Sequence, residues 1–171
     1  MELKWSGDYL EVLQSEDYDF EAVKGSDSVL VLPKIKGKYI VRKEVCPAYS
    51  VKGDEEKYWT MVSGSVEDGE TDLQTLRREM GEETPIRPTK IRLIGRQKRF
   101  PFSKALTSRF SFYHFEVLEF DKTGASGDGS KVEEESEFHF VSPERLQELA
   151  EKESSDITIM YSAEVVKNSD I

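Results

Sequence analysis

Glu79, Glu82 and Glu83 are spaced three and one residues apart in a stretch of helical periodicity, so positions 79, 82 and 83 share one helix face. Like charges gathered there repel one another and cost stability unless a cation sits between them. Hard oxygen donors at this spacing suit magnesium or manganese. A solvated acidic face is the commoner meaning of an arbitrary glutamate triplet. Here, however, the other face carries Leu73, Leu76 and Met80, and the turn-forming segment Gly64-Ser-Val-Glu-Asp-Gly-Glu70 precedes the helix. The carboxylates therefore point at whatever that loop encloses, and divalent ions are the means by which an acidic surface handles phosphate groups.

The elements that must position these groups are legible from periodicity. Thr71 followed by Gln74 has the form of a capping box and starts the helix near Asp72, while Pro85 stops it at Thr84. Upstream, Tyr9–Leu13 and Phe20–Val23 alternate apolar with polar, as strands do. Ser28-Val-Leu-Val-Leu-Pro33 is a continuous apolar run suited to a central strand, and Lys38–Arg42 can pair with it across the Lys36-Gly-Lys38 turn. Residues 47–57 read as a polar loop, Trp59–Val62 as one short strand ending at Ser63-Gly64, and Ile91–Ile94, Phe110–Leu118 and Glu137–Val141 as further strands. Residues 121–130 form a Gly- and Ser-rich loop, Ser142-Pro143 opens a helix through Lys152, and Thr158–Val166 is a last amphipathic helix. The expected product is one mixed α/β domain over residues 1–171, with N-terminal strands in 1–26 and a core in 27–171.

Composition bounds the function. The chain of 171 residues has a net charge of −10, with 37% hydrophobic and 34% charged residues, which fits a globular fold and argues against general nucleic-acid binding. Cys46 is the only cysteine, and His114 and His139 are the only histidines, so neither a disulfide within the chain nor a zinc cluster is supported. The two histidines read as strand residues with ordinary hydrogen bonds. The N-terminal Met1–Trp5 lacks a signal-peptide run, and no stretch approaches the roughly 18 apolar residues of a membrane span. A cytoplasmic protein without membrane contact is expected.

The segment from Gly64 to Ile86 resembles the Nudix box: Gly, five residues, Glu, seven residues, Arg-Glu, an apolar residue, any residue, Glu-Glu, any residue, Gly and an apolar residue. Gly64, Glu70, Arg78, Glu79, Met80, Glu82, Glu83 and Ile86 match, and Pro85 stands where the family has Gly. The resemblance implies a mixed sheet sandwiched by helices in an α/β/α arrangement, with antiparallel strands at the N-terminus. It also implies that Glu79, Glu82 and Glu83 bind magnesium, or manganese, with help from a backbone carbonyl near Ser63. Glu70 pairs with Arg78 to hold the loop–helix–loop in shape. The activity implied is hydrolysis of a pyrophosphate bond in a nucleoside diphosphate linked to another group.

Outside the box the chain is similar to the ADP-ribose pyrophosphatases. The order of the N-terminal strands, Trp59-Thr-Met-Val-Ser-Gly64, Pro101 fifteen residues after Ile86, and the acidic run Glu133–Glu137 carry that likeness. It implies Glu134 or Glu135 as general base, with Glu133 and Glu137 less favoured, and a homodimer built by the N-terminal strands. A solvated loop is the equally weighted meaning of the same acidic run. Thr60 and Val62 depart from the subfamily's Glu and Pro, and Cys46-Pro47 stands where Arg-Pro is common. Arg42, Arg96, Arg99 or Arg109 can supply the missing cation, while Phe100 and Phe102 can stack a base. Dinucleoside polyphosphates, modified nucleoside triphosphates or capped RNA are alternative substrates, and a non-catalytic nucleotide-sensing domain is the alternative outside enzymes.

Overall fold

The computed structural model describes residues 2–6, 11–14, 17, 20–45, 56–95, 98–101, 103, 106–124 and 135–169. Tyr9, Leu10, Cys46, Pro47, Tyr49, Arg96, Phe102, Glu133 and Glu134 lie outside the described residues. Three short strands, β1 (Glu2–Ser6), β2 (Glu11–Gln14) and β3 (Glu21–Lys24), pair antiparallel in a small sheet. The first of them carries no alternation long enough to be read from the sequence.

The main sheet grows around the apolar run. β4 (Ser28–Ile35) and β5 (Lys38–Val45) form a hairpin whose turn residues, Lys36 and Gly37, have φ of 48° and 81°. Two consecutive positive φ angles match the twist of the flanking strands. Beyond this hairpin β4 and β5 diverge, and the segment expected to be one strand crosses the fork as two. β6 (Lys57–Thr60) runs antiparallel to β5, the chain bends at Met61, and β7 (Val62–Ser65) leaves antiparallel to β4. Met61 is fully buried at the bend, and its N–H donates to Thr158 Oγ1 at 3.2 Å.

α1 (Asp72–Glu83) follows the loop, with Thr71 as N-cap and Gln74 completing the capping box. Leu76 and Met80 are fully buried, each contributing roughly 1.5–3 kcal/mol of apolar burial. The chain then turns directly into β8 (Ile86–Leu93), which pairs antiparallel with the later part of β10 (Arg109–Lys122). β9 (Lys98–Pro101) pairs with the start of β10, so Phe100 and Pro101 belong to an edge strand rather than a loop. Their run is too short and too polar to show strand periodicity alone. Asp121 and Lys122 likewise extend β10, paired with Arg87 and Ile86, where a loop had been expected.

β11 (Glu137–Val141) pairs with the free edge of β5, completing the order β11-β5-β4-β10-β8, with β4 and β10 parallel. Ser142 caps α2 (Pro143–Lys152), and Asp156 Oδ1 accepts the N–H groups of Thr158 and Ile159 at the start of α3 (Ile157–Ser169). Alternate residues of β4 face opposite layers. Val29 and Val31 pack with Leu76 and Met80 of α1, while Leu30 and Leu32 pack with Leu146, Leu149 and Ile159 of α2 and α3. The result is a mixed sheet between helices. No helix among the described residues is long and apolar enough to cross a membrane.

Candidate active site

The loop and helix 64–83 are held by one guanidinium. Arg78 Nε and Nη2 donate to the two oxygens of Glu70 at 3.1 Å each, Nη1 donates to Glu79 at 2.8 Å and to Glu82 at 3.1 Å, and Nη2 also donates to the Ser65 carbonyl at 2.9 Å. Glu70 further accepts Thr75 Oγ1 at 2.9 Å and the Glu67 N–H at 3.3 Å. The Arg78 hydrogen bond is the main cause that holds the Glu70 carboxyl at about 2, below its ordinary 4.5. Gly64 is where the backbone approaches closest, because a Cβ built there would fall within the Glu79 carboxyl group.

Glu83 occupies the fork of the sheet. Its Oε2 accepts the Ser63 N–H of β7 at 3.3 Å, and its Oε1 accepts Arg42 Nη1 of β5. Burial pushes this carboxyl up to about 8; Arg42 opposes that rise, and Glu79 and Glu44 add to it. Arg42 is itself only 3% exposed, pairs also with Glu44 at 3.1 Å, and donates from Nη2 to Ser136 Oγ at 2.7 Å. Ser136 lies within the acidic run, between Glu135 and Glu137. Its neighbour Glu135 accepts Lys57 Nζ at the backbone carbonyl at 2.8 Å.

The structure thus brings together Ser63, Gly64, Glu70, Arg78, Glu79, Glu82, Glu83 and Arg42, and sets the segment 135–137 beside them. Arg99 and Phe100 lie on β9 and make other contacts: Arg99 pairs with Asp27, and the Phe100 ring lies 6.0 Å from that of Tyr161. Phe100 borders an apolar cavity of about 470 Å³ lined also by Leu30, Pro101, Ile157, Thr158 and Tyr161. Ser136, Glu44 and Lys57 were not singled out from the sequence. The spacing of Arg42 and Glu44, which puts both on one face of a strand, was the available signal.

The profile of the NUDIX domain family matches residues 34–161. The chain belongs to the Nudix family. A solved structure described as an ADP compounds hydrolase is similar in fold, with a TM-score of 0.69 and 14% identity, covering 98% of this chain and 89% of that one. Curated protein sequences show no significant match.

Family membership makes this a Nudix pyrophosphohydrolase, and such enzymes generally use divalent metal ions. The residues present suit such an ion. Glu79 and Glu83 are buried carboxyl groups, 7% and 9% exposed, and the burial that lifts Glu83 is a penalty that a bound cation removes. Among the described residues no group of three or more acidic, His or Cys side chains stands in metal-ligating geometry. Arg78 takes Glu79 and Glu82, and Arg42 takes Glu83, so a cation held by these glutamates would have to exchange guanidinium contacts for its own.

Proposed function

We propose that this Nudix protein hydrolyses the pyrophosphate bond of a nucleoside diphosphate joined to a sugar, ADP-ribose above others, giving AMP and a sugar phosphate. The observation that carries the reading is the contact chain Glu83–Arg42–Ser136, which ties Ser136, inside the acidic run, to the glutamate at the sheet fork. Substrate preference draws support from two further features. An N-terminal antiparallel sheet precedes the core, and the similar structure that spans 98% of the chain is described as acting on ADP compounds. The cavity beside Phe100 is apolar and bordered by aromatic rings, which suits the flat face of a nucleobase.

In this reading Glu79, Glu82 and Glu83 hold magnesium, with manganese as substitute and the backbone at Ser63 nearby. The bound ion supplies positive charge to the diphosphate oxygens and to the leaving phosphate. Glu134 or Glu135 takes the proton of the attacking water. Glu70 and Arg78 keep the loop and helix in register. Arg42, Arg99, Phe100 and Phe102 are the candidate substrate contacts. The N-terminal strands are the candidate surface for a homodimer, which light scattering tests, and the cytoplasm is the expected location.

Product analysis against ADP-ribose, NADH, diadenosine polyphosphates, GDP-mannose, modified nucleoside triphosphates and capped RNA, with and without magnesium, tests the substrate. Metal-dependent release of AMP from ADP-ribose is the expected result. Cleavage confined to another member of the panel overturns the substrate assignment, and silence on all of them leaves a nucleotide-sensing domain. Glu83→Gln is expected to abolish turnover with little change in folding, since Arg42 keeps Glu44 and Ser136. Wild-type turnover in that variant removes Glu83 from the metal site.

A further inference from the structure

We propose that Lys57 and Ser136 are positioning residues for hydrolysis, clamping Glu135–Glu137 beside Glu83 with the help of Arg42. The inference rests on the proposed reading of Glu134 or Glu135 as the base, and adds the groups that hold residues 135–137. Lys57 stands at the start of β6. Its ammonium donates both to the Glu135 carbonyl and to Glu137 Oε1, each at 2.8 Å. One cation therefore grips the chain on both sides of Ser136, while Arg42 grips Ser136 itself at 2.7 Å. Residues 135–137 are thus held from two strands, β5 and β6.

The arrangement differs from an ordinary surface ion pair. Lys57 and Glu137 are 32% and 52% exposed at their side chains, and a pair that open to water contributes little to stability. A bond to a backbone carbonyl does something else, because it sets where the main chain runs. Arg42 is rigid, planar and buried, and its other amino group contacts Glu83, so the distance from Ser136 to Glu83 is set through a single guanidinium. A general base must lie within hydrogen-bond reach of its water, and a misplacement of about 1 Å costs on the order of 100-fold in rate.

Lys57→Met and Ser136→Ala test the clamp, with Lys57→Arg and Ser136→Thr as conservative counterparts. The expected result is a fall in kcat of roughly 10- to 100-fold in the first pair, with KM, magnesium affinity and Tm unchanged, and recovery of most of kcat in the second pair. Faster hydrogen exchange across residues 135–139 is expected in Lys57→Met. Wild-type kcat and unchanged exchange in both disruptive variants overturn the clamp, and so does a loss of kcat matched by a fall in Tm. Failure of the hydrolase reading looks different: the wild type is silent on every substrate while its exchange protection at 135–139 is intact.

Discussion

Arg78 places each of its five N–H groups on an acceptor, so the loop, the first turns of α1 and two box glutamates form one hydrogen-bonded unit. The pH dependence of that unit follows from Glu70. Its carboxyl is held at about 2 rather than 4.5, so the folded protein favours the ionised form. The resulting stabilisation is complete above about 4.5 and is lost as pH falls towards 2. Glu70→Gln is therefore expected to lower Tm at neutral pH, with the difference from wild type closing on acidification. Thermal denaturation across a pH series checks this, and a gap that stays constant removes the ion pair as its cause. Gly64 offers a second test. In Gly64→Ala the new methyl displaces the Glu79 side chain from Cγ outward, moving its carboxyl from its place by Arg78. Activity is expected to fall at least about 10-fold with Tm nearly unchanged. Paired kinetic and thermal measurements decide, and full activity shows that the position of Glu79 is dispensable.

At the scale of elements, the exit from α1 explains the one departure from the Nudix box. Thr84 has φ of −136° and ψ of 160°, the extended conformation that a following proline requires. Thr123, the residue after β10, shares its hydroxyl between the Gly81 and Thr84 carbonyls at 3.2 Å each and donates its N–H to Pro85 O at 3.1 Å, which ties down the helix terminus. Pro85 thereby turns the chain straight into β8 without a left-handed residue. Pro85→Gly is expected to lose about 0.4–1 kcal/mol through the added freedom of the unfolded chain, with activity retained. Denaturant titration measures it, and a gain in stability shows that the native turn strains the proline. The fork between β4 and β5 is the other decisive element. Beyond the bend at Met61, Ser63 pairs with Leu30 of β4 and its N–H donates to Glu83 at 3.3 Å.

Over the whole molecule, protonation and stability are linked through that fork, and metal binding joins them if Glu83 is a ligand as proposed. With Glu83 raised from 4.5 to about 8, the folded protein binds this proton more tightly than the unfolded chain does. The metal-free protein is accordingly expected to lose stability as pH rises through that window. A cation held by Glu83 would need the ionised carboxylate, so its binding at neutral pH is expected to release a proton and to tighten as pH approaches 8. Titration calorimetry with magnesium in two buffers of different ionisation enthalpy checks the release. Identical heats in both buffers exclude Glu83 as the proton donor.

The sequence by itself determined the parts governed by local rules. Thr71, Gln74 and Pro85 bound α1 because caps and proline act on adjacent backbone, and the apolar run at 28–33 specified a central strand because both its faces had to be buried. Glu79, Glu82 and Glu83 were legible for the same reason, as spacing along one helix. What only the tertiary structure decided depends on partners distant in the chain. β9 is a strand because β10 pairs with it, and residues 57–65 divide because β4 and β5 diverge. Arg42 meets Glu83 and Ser136 across 41 and 94 residues of sequence, a coincidence that periodicity cannot encode because it is made by strands brought side by side.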